Sequence, residues 1–117
     1  MPVSYTVEYI ELKNGENPFE IFVMGLSIQE RAKLFETINY FLHLKNHHLP
    51  IKENLSKHLE DGIFELRTFL IDKIARSLFF YEKEARIVIT HGFLKKTQKT
   101  PRKEIEKAKT LRNLYHE

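Results

Sequence analysis

Three runs decide the fold: Ile63-Phe64-Glu65-Leu66-Arg67-Thr68, Ala75-Arg76-Ser77-Leu78-Phe79-Phe80-Tyr81 and Arg86-Ile87-Val88-Ile89-Thr90-His91. Each is rich in β-branched and aromatic residues, which suit a pleated and packed surface, so each reads as a strand. The links between them are short, which makes an antiparallel meander the economical pairing. Lys83-Glu84 is not the Asn-Gly or Asp-Gly of a strong hairpin turn and leaves the register of the last two strands open.

Working outward, residues 3–12 alternate as a further strand, with Val3, Tyr5, Val7 and Tyr9 on one face. Lys13-Asn14-Gly15 is a turn signal. Asn17-Pro18-Phe19-Glu20 opens a short helix, because Asn caps free N–H groups and Pro fits the first helical position. Phe19, Phe22, Val23 and Leu26 give that helix an apolar stripe. Ser27-Ile28-Gln29-Glu30 is a capping box for a second helix reaching His43–His47. Its expected inner face is Ile28, Ala32, Phe35, Ile38 and Leu42, widened by Leu34 and Phe41. So short a link predicts an αα-hairpin. Residues 46–62 are polar, carry Pro50 and Gly62, and predict only a helical turn near Leu55–Leu59. After the basic connector Lys95-Lys96-Thr97-Gln98-Lys99, Thr100-Pro101 caps a last helix with Ile105, Ala108, Leu111 and Leu114 or Tyr115 inward. The order is strand, two helices, three strands, helix. That is an α+β fold, a small mainly antiparallel sheet packed against an N-terminal helical hairpin, with a C-terminal helix.

A chain of 117 residues, 42% hydrophobic and 30% charged, has the composition of one globular domain. Cysteine is absent, which excludes disulfides, thiol catalysis and thiolate metal sites and suits a reducing cytoplasm. No apolar run approaches the roughly 18 residues of a membrane span, and the N-terminus does not read as a signal peptide. A cytoplasmic location without membrane contact is the expectation. Residues 91–117 hold eight Lys/Arg against three Glu, leaving the first ninety at −2. A positive end on a slightly negative body suits a polyanion, most often nucleic acid, and suits a solvated basic helix equally well.

Arg67, Arg76, Lys95 and Lys96 fall on or beside the strands. Arg67 should point away from the face that Phe64 and Leu66 bury. Neighbouring strands lie about 5 Å apart, so these cations can converge on a patch a nucleotide or two wide. Unpaired cations repel one another, and phosphate, which Arg binds through two parallel hydrogen bonds, resolves that cost. Taken singly, each has a plainer reading. Arg67 fits a surface bridge to Glu65 or Asp72, Arg76 a side chain lying over the sheet edge, and the lysines a solvated loop. His43 and His47 have metal-ligand spacing but lack a third ligand, so no metal is expected. His91, on the last strand before the basic run, fits a proton-transfer group or a structural strand end. There is no Gly-rich phosphate loop, Ser-centred elbow or His-Glu-x-x-His.

Gly62-Ile63-Phe64-Glu65-Leu66-Arg67, Ala75-Arg76-Ser77-Leu78-Phe79-Phe80 and above all His91-Gly92-Phe93-Leu94-Lys95-Lys96-Thr97-Gln98-Lys99-Thr100-Pro101 resemble the phage-derived HigB-type toxins of the RelE/ParE superfamily. The resemblance covers most of residues 59–112. It implies a single RelE-like domain over 1–117 and a type II toxin that cleaves mRNA, often on the translating ribosome, without cofactor or metal. It implies neutralisation by a helix-turn-helix, HigA-like antitoxin, with operator DNA reached only through their complex. Arg67 and Arg76 match the family's strand arginines, and Lys95 or Lys96 a basic residue after the last strand. The implied catalytic set is Arg67, Arg76, Lys96 and His91, with Lys95, Lys99, Arg102 and Lys103 binding RNA. The His-Asp-Tyr-His set of some relatives is not reproduced, and the tyrosine that RelE carries after its last strand has no clear match. Two further readings remain: a ParE-like toxin that binds a topoisomerase without catalysis, and a nucleic-acid-binding regulatory module.

Overall fold

The computed structural model describes residues 4–96 and 99–117; Val3 of the expected first strand and Thr97-Gln98 of the basic connector lie outside the described residues. The elements run β1 (Thr6–Tyr9), α1 (Pro18–Met24), α2 (Ile28–Asn46), β2 (Ser56–Glu60), β3 (Ile63–Leu70), β4 (Lys73–Glu82), β5 (Arg86–Lys95) and α3 (Arg102–Tyr115). They form an α+β fold with one mixed five-stranded sheet in the order β1-β5-β4-β3-β2 and three helices. The meander β3-β4-β5 is antiparallel, as is β2 on β3, while β1 runs parallel to β5. No described helix is long and apolar enough to cross a membrane.

The middle strand shows why the sheet is covered on both sides. Every residue of β4 from Ile74 to Phe80 is buried, the pattern of a strand with a layer on each face. On one face Phe19, Val23, Leu34, Ile38 and Phe41 of α1 and α2 meet Leu66, Phe79, Ile87 and Ile89. On the other, Ala108 and Leu111 of α3 meet Ile63, Leu78, Phe80 and Val88. Fully burying side chains such as Phe19 or Phe79 stabilises by about 1.5–3 kcal/mol each.

The first two of the three predicted helix starts form as expected. Asn17 accepts the Glu20 N–H at 3.1 Å, and Ser27 and Glu30 exchange capping bonds at 3.1 and 2.9 Å. Four expectations need correction. The αα-hairpin is not shown: α1 has seven residues and packs on β5, whereas α2 packs on β3. Arg31 joins the two helices by donating to the carbonyls of Val23, Met24 and Leu26 at the end of α1. The buried face of α2 is Leu34, Ile38, Phe41 and Leu44, while Ile28, Ala32 and Phe35 are exposed. Both sets fit a 3.6-residue period, and packing on the sheet selects between them. Residues 56–60 form an edge strand, not a helical turn, joined to β3 by Asp61-Gly62 with φ of 50° and 77°. Two positive φ values in a two-residue link are the geometry that Asp-Gly favours. Finally, Thr100 does not cap α3: Pro101 stands at the cap without a side-chain bond, and the Thr100 hydroxyl is used elsewhere.

One irregularity positions everything after Ile89. Leu78 pairs with His91 but Phe79 pairs with Ile89, so Thr90 is an extra residue in β5. A bulge of one residue turns all later side chains to the opposite face. Ile87 and Ile89 face α1 and α2, whereas His91, Phe93 and Lys95 share the face of Leu78, Arg76 and Ile74. Gly92 consequently lies under α1, where an added Cβ would stand 2.4 Å from the Phe22 ring.

Candidate functional site

Arg67 and Arg76 are directly opposed on β3 and β4, with Glu65 two residues before Arg67 on the same face. Two opposed cations destabilise a sheet unless an anion lies between them. Glu65 is that anion. Its Oε1 accepts Arg67 Nε at 2.5 Å and Arg76 Nη1 at 2.8 Å, and its Oε2 accepts the Thr100 hydroxyl. Glu65 and Arg76 expose nothing to solvent, and Arg67 exposes 12% of its side chain. Burial draws the Arg76 guanidinium below its ordinary pKa, and the charge of Glu65 opposes that shift. One carboxylate against two guanidiniums leaves a charge of +1, carried to the surface by Arg67. Among the described residues, Glu65 through Nε is the only polar partner of the Arg67 side chain, so both terminal amino groups remain available.

Arg67 lines a small groove of about 190 Å³ together with Lys57 of β2, Lys99 and Thr100 of the connector, Leu59 and Ile105. Lys57 pairs in register with Glu65, which places it on the same face as Arg67 and diagonal to it. Lys57 and Lys99 are exposed and have no ion-pair partner among the described residues. Lys95 sits farther along this face, opposite Ile74, and Lys96 is exposed just beyond the strand. Lys103 is exposed on the first turn of α3.

The picture of unpaired cations gathered together therefore needs correction for Arg67, whose Nε is paired with Glu65, and for three further residues singled out by sequence. Arg76 is wholly buried on Glu65. His91 is buried, with Nδ1 at 3.0 Å from Thr90 Oγ1 and Nε2 at 3.1 Å from Glu104 Oε1, so both ring nitrogens are engaged within the protein. Burial holds its pKa below the ordinary histidine value, with Glu104 opposing. Arg102 grips Glu60 with both terminal nitrogens and reaches Glu106 at 2.6 Å, while Lys109 meets Glu60 at 2.5 Å. Those interactions, Arg102 foremost, pull the Glu60 carboxyl down to about 2. They strap α3 to the edge strand.

Sequence reading missed Lys57 because it took residues 46–62 for a loop; Asp61-Gly62 was the signal that a strand precedes it. It also took Glu65 for a surface partner. Period-two alternation already places Glu65 and Arg67 on one face, but not that the face is covered by Thr100 and α3. His43 and His47 stack with ring centroids 4.2 Å apart. Among the described residues no group of three metal-ligating side chains occurs. A family model described as phage derived protein Gp49-like (DUF891) matches residues 22–113. No curated protein matches the chain.

Proposed function

The chain belongs to the Gp49-like family of phage-derived proteins, part of the RelE/HigB-like toxin group, and on that premise we propose that it is the HigB-type toxin of a type II toxin–antitoxin pair and cleaves mRNA. The observation that carries the nuclease reading is Arg67, its Nε fixed by a buried carboxylate and its terminal amino groups without a protein partner among the described residues. A guanidinium held in this way is preorganised for the charge that builds on phosphoryl oxygens in a transition state.

RNA brings its own nucleophile. The ribose 2′-oxygen attacks the adjacent phosphorus, the bond from phosphorus to the 5′-oxygen breaks, and a cyclic phosphate remains. The proton leaves the 2′-hydroxyl and one is delivered to the departing oxygen. In this scheme Arg67 binds the non-bridging oxygens, and Lys95 or Lys96 binds phosphate or neutralises the departing oxygen. Arg76 acts through Glu65 as a positioning residue. Lys99 and Lys103 contribute to holding the RNA. His91 is the weaker candidate for proton transfer, because its ring must first leave Glu104 or Thr90. The partners in this reading are mRNA, with the ribosome presenting it, and a helix-turn-helix antitoxin through which the pair meets its operator.

Inducing the chain alone in cells and mapping transcript 5′ ends tests the proposal. New ends inside coding regions, together with arrested growth, are the expected result. Intact transcripts with DNA damage would instead indicate a topoisomerase poison. Purified protein should leave uncut any RNA that lacks the 2′-hydroxyl at the cleaved position.

A further inference from the structure

The groove carries a cation that neither the resemblance nor the family match assigns. Lys57 stands on the edge strand, on the face of Glu65 and Arg67, and is exposed. Its register partner Glu65 does not neutralise it, since that buried carboxylate is already taken by Arg67, Arg76 and Thr100. Lys57 and Arg67 are diagonal neighbours across an antiparallel pair, a relation that puts side-chain origins roughly 7–8 Å apart. Lys99 enters the same groove from the connector. Three positive groups from three separate segments thus border one concavity, and the charge of the carboxylate beneath them is already outnumbered.

We infer that this groove is a phosphodiester-binding site of single-stranded RNA, in which Lys57 holds the phosphate next to the one at Arg67, and Lys99 closes the other side. The inference rests on the nuclease reading for the identity of its ligand but not on any cleavage. The lysines contribute as point charges that release counterions, whereas Arg67 supplies the directional, two-pronged grip. Lysine on an edge strand has a second known use, to discourage pairing with another sheet, and that use requires no groove and no ligand.

The test uses the full chain and a ten-nucleotide single-stranded RNA carrying 2′-O-methyl groups throughout, which cannot be cut by its own 2′-oxygen. Binding is read by fluorescence anisotropy over a salt series, for wild type, Lys57→Ala, Lys99→Ala and, as a control on the far turn, Lys83→Ala. The expected result is a loss of affinity of about fivefold or more for Lys57→Ala and Lys99→Ala. The slope of log K against log salt should shrink by about 0.7 for each phosphate that a variant no longer neutralises. Lys83→Ala should bind as wild type. Wild-type affinity retained by Lys57→Ala would overturn the proposal and leave Lys57 as edge protection, as would failure of the wild type to bind the oligonucleotide. Cleavage of unmodified RNA is measured in parallel. Lysine-dependent binding without cleavage would sink the nuclease reading and leave the groove standing, and cleavage indifferent to Lys57 would do the reverse.

Discussion

Arg76 has no surface of its own, and among the described residues the carboxylate it is paired with is Glu65. Replacing Glu65 by Gln leaves a buried guanidinium without its counter-charge, and breaking a pair in that way costs about 3–5 kcal/mol. Urea unfolding of Glu65→Gln should show a loss of that size, and a loss below about 1 kcal/mol would mean that water reaches Arg76. Arg67→Ala is a different experiment on the same carboxylate, because Arg76 and Thr100 still satisfy Glu65. It should leave the melting temperature within a few degrees of wild type while lowering the RNA cleavage rate about 10²–10³-fold. Retained cleavage would remove Arg67 from the mechanism. Arg67 stood out from sequence as a candidate for chemistry, but the buried role of Glu65 between the two arginines did not. Alternation gives a side chain its face and says nothing of how deep the opposite layer buries it.

Among the elements, the turns carry most of the strain. Glu84 and Ala85 join β4 to β5 with φ of 65° and 57°, a left-handed conformation that costs an L-residue roughly 1–2 kcal/mol. Ala85→Gly should therefore raise the urea midpoint, by about 1 kcal/mol of stability, and no gain would show that the turn relaxes without it. At the other end of β5, Gly92→Ala drives a methyl into the Phe22 ring and should cost about 1–3 kcal/mol, with part of the loss recovered by adding Phe22→Leu. The central strands were readable because they bury both faces and so read as apolar runs. β2 was not, because an edge strand is held by backbone bonds to a single neighbour and its side chains stay polar. α2 was readable in extent, since its caps are local, but not in rotation, since two apolar stripes compete along it. The bulge at Thr90 leaves no mark in hydropathy.

Taken whole, the molecule is a sheet between two helical layers, and α3 is held down by charge as well as by its apolar face. Glu60, strapped by Arg102 and Lys109, has a carboxyl near 2 in the folded chain against an ordinary value of 4.5. A depressed carboxyl stabilises fully above its unfolded value, and that contribution drains away as pH falls from 4.5 towards 2. His91, held below its ordinary 6.5 by burial, favours the fold above that value and gives up its contribution as acid is added below it. Melting temperature followed from about pH 8 to about pH 3 should decline in two stages. His91→Gln should remove the first and Glu60→Gln should shrink the second; an unchanged curve in either variant assigns that stage to other groups. The bulge in β5 has a consequence for inheritance. Loss of the single codon for Thr90 deletes none of the cations proposed to meet RNA and would leave a regular ladder with His91 still on Leu78. A straight strand that kept Thr90 in register would instead send His91, Phe93 and Lys95 beneath α1 and bring Gly92 and Leu94 to the α3 side. A lineage can thus shorten this strand by one at Thr90 and keep that end of the protein the right way out, but it cannot retain the residue and straighten the strand.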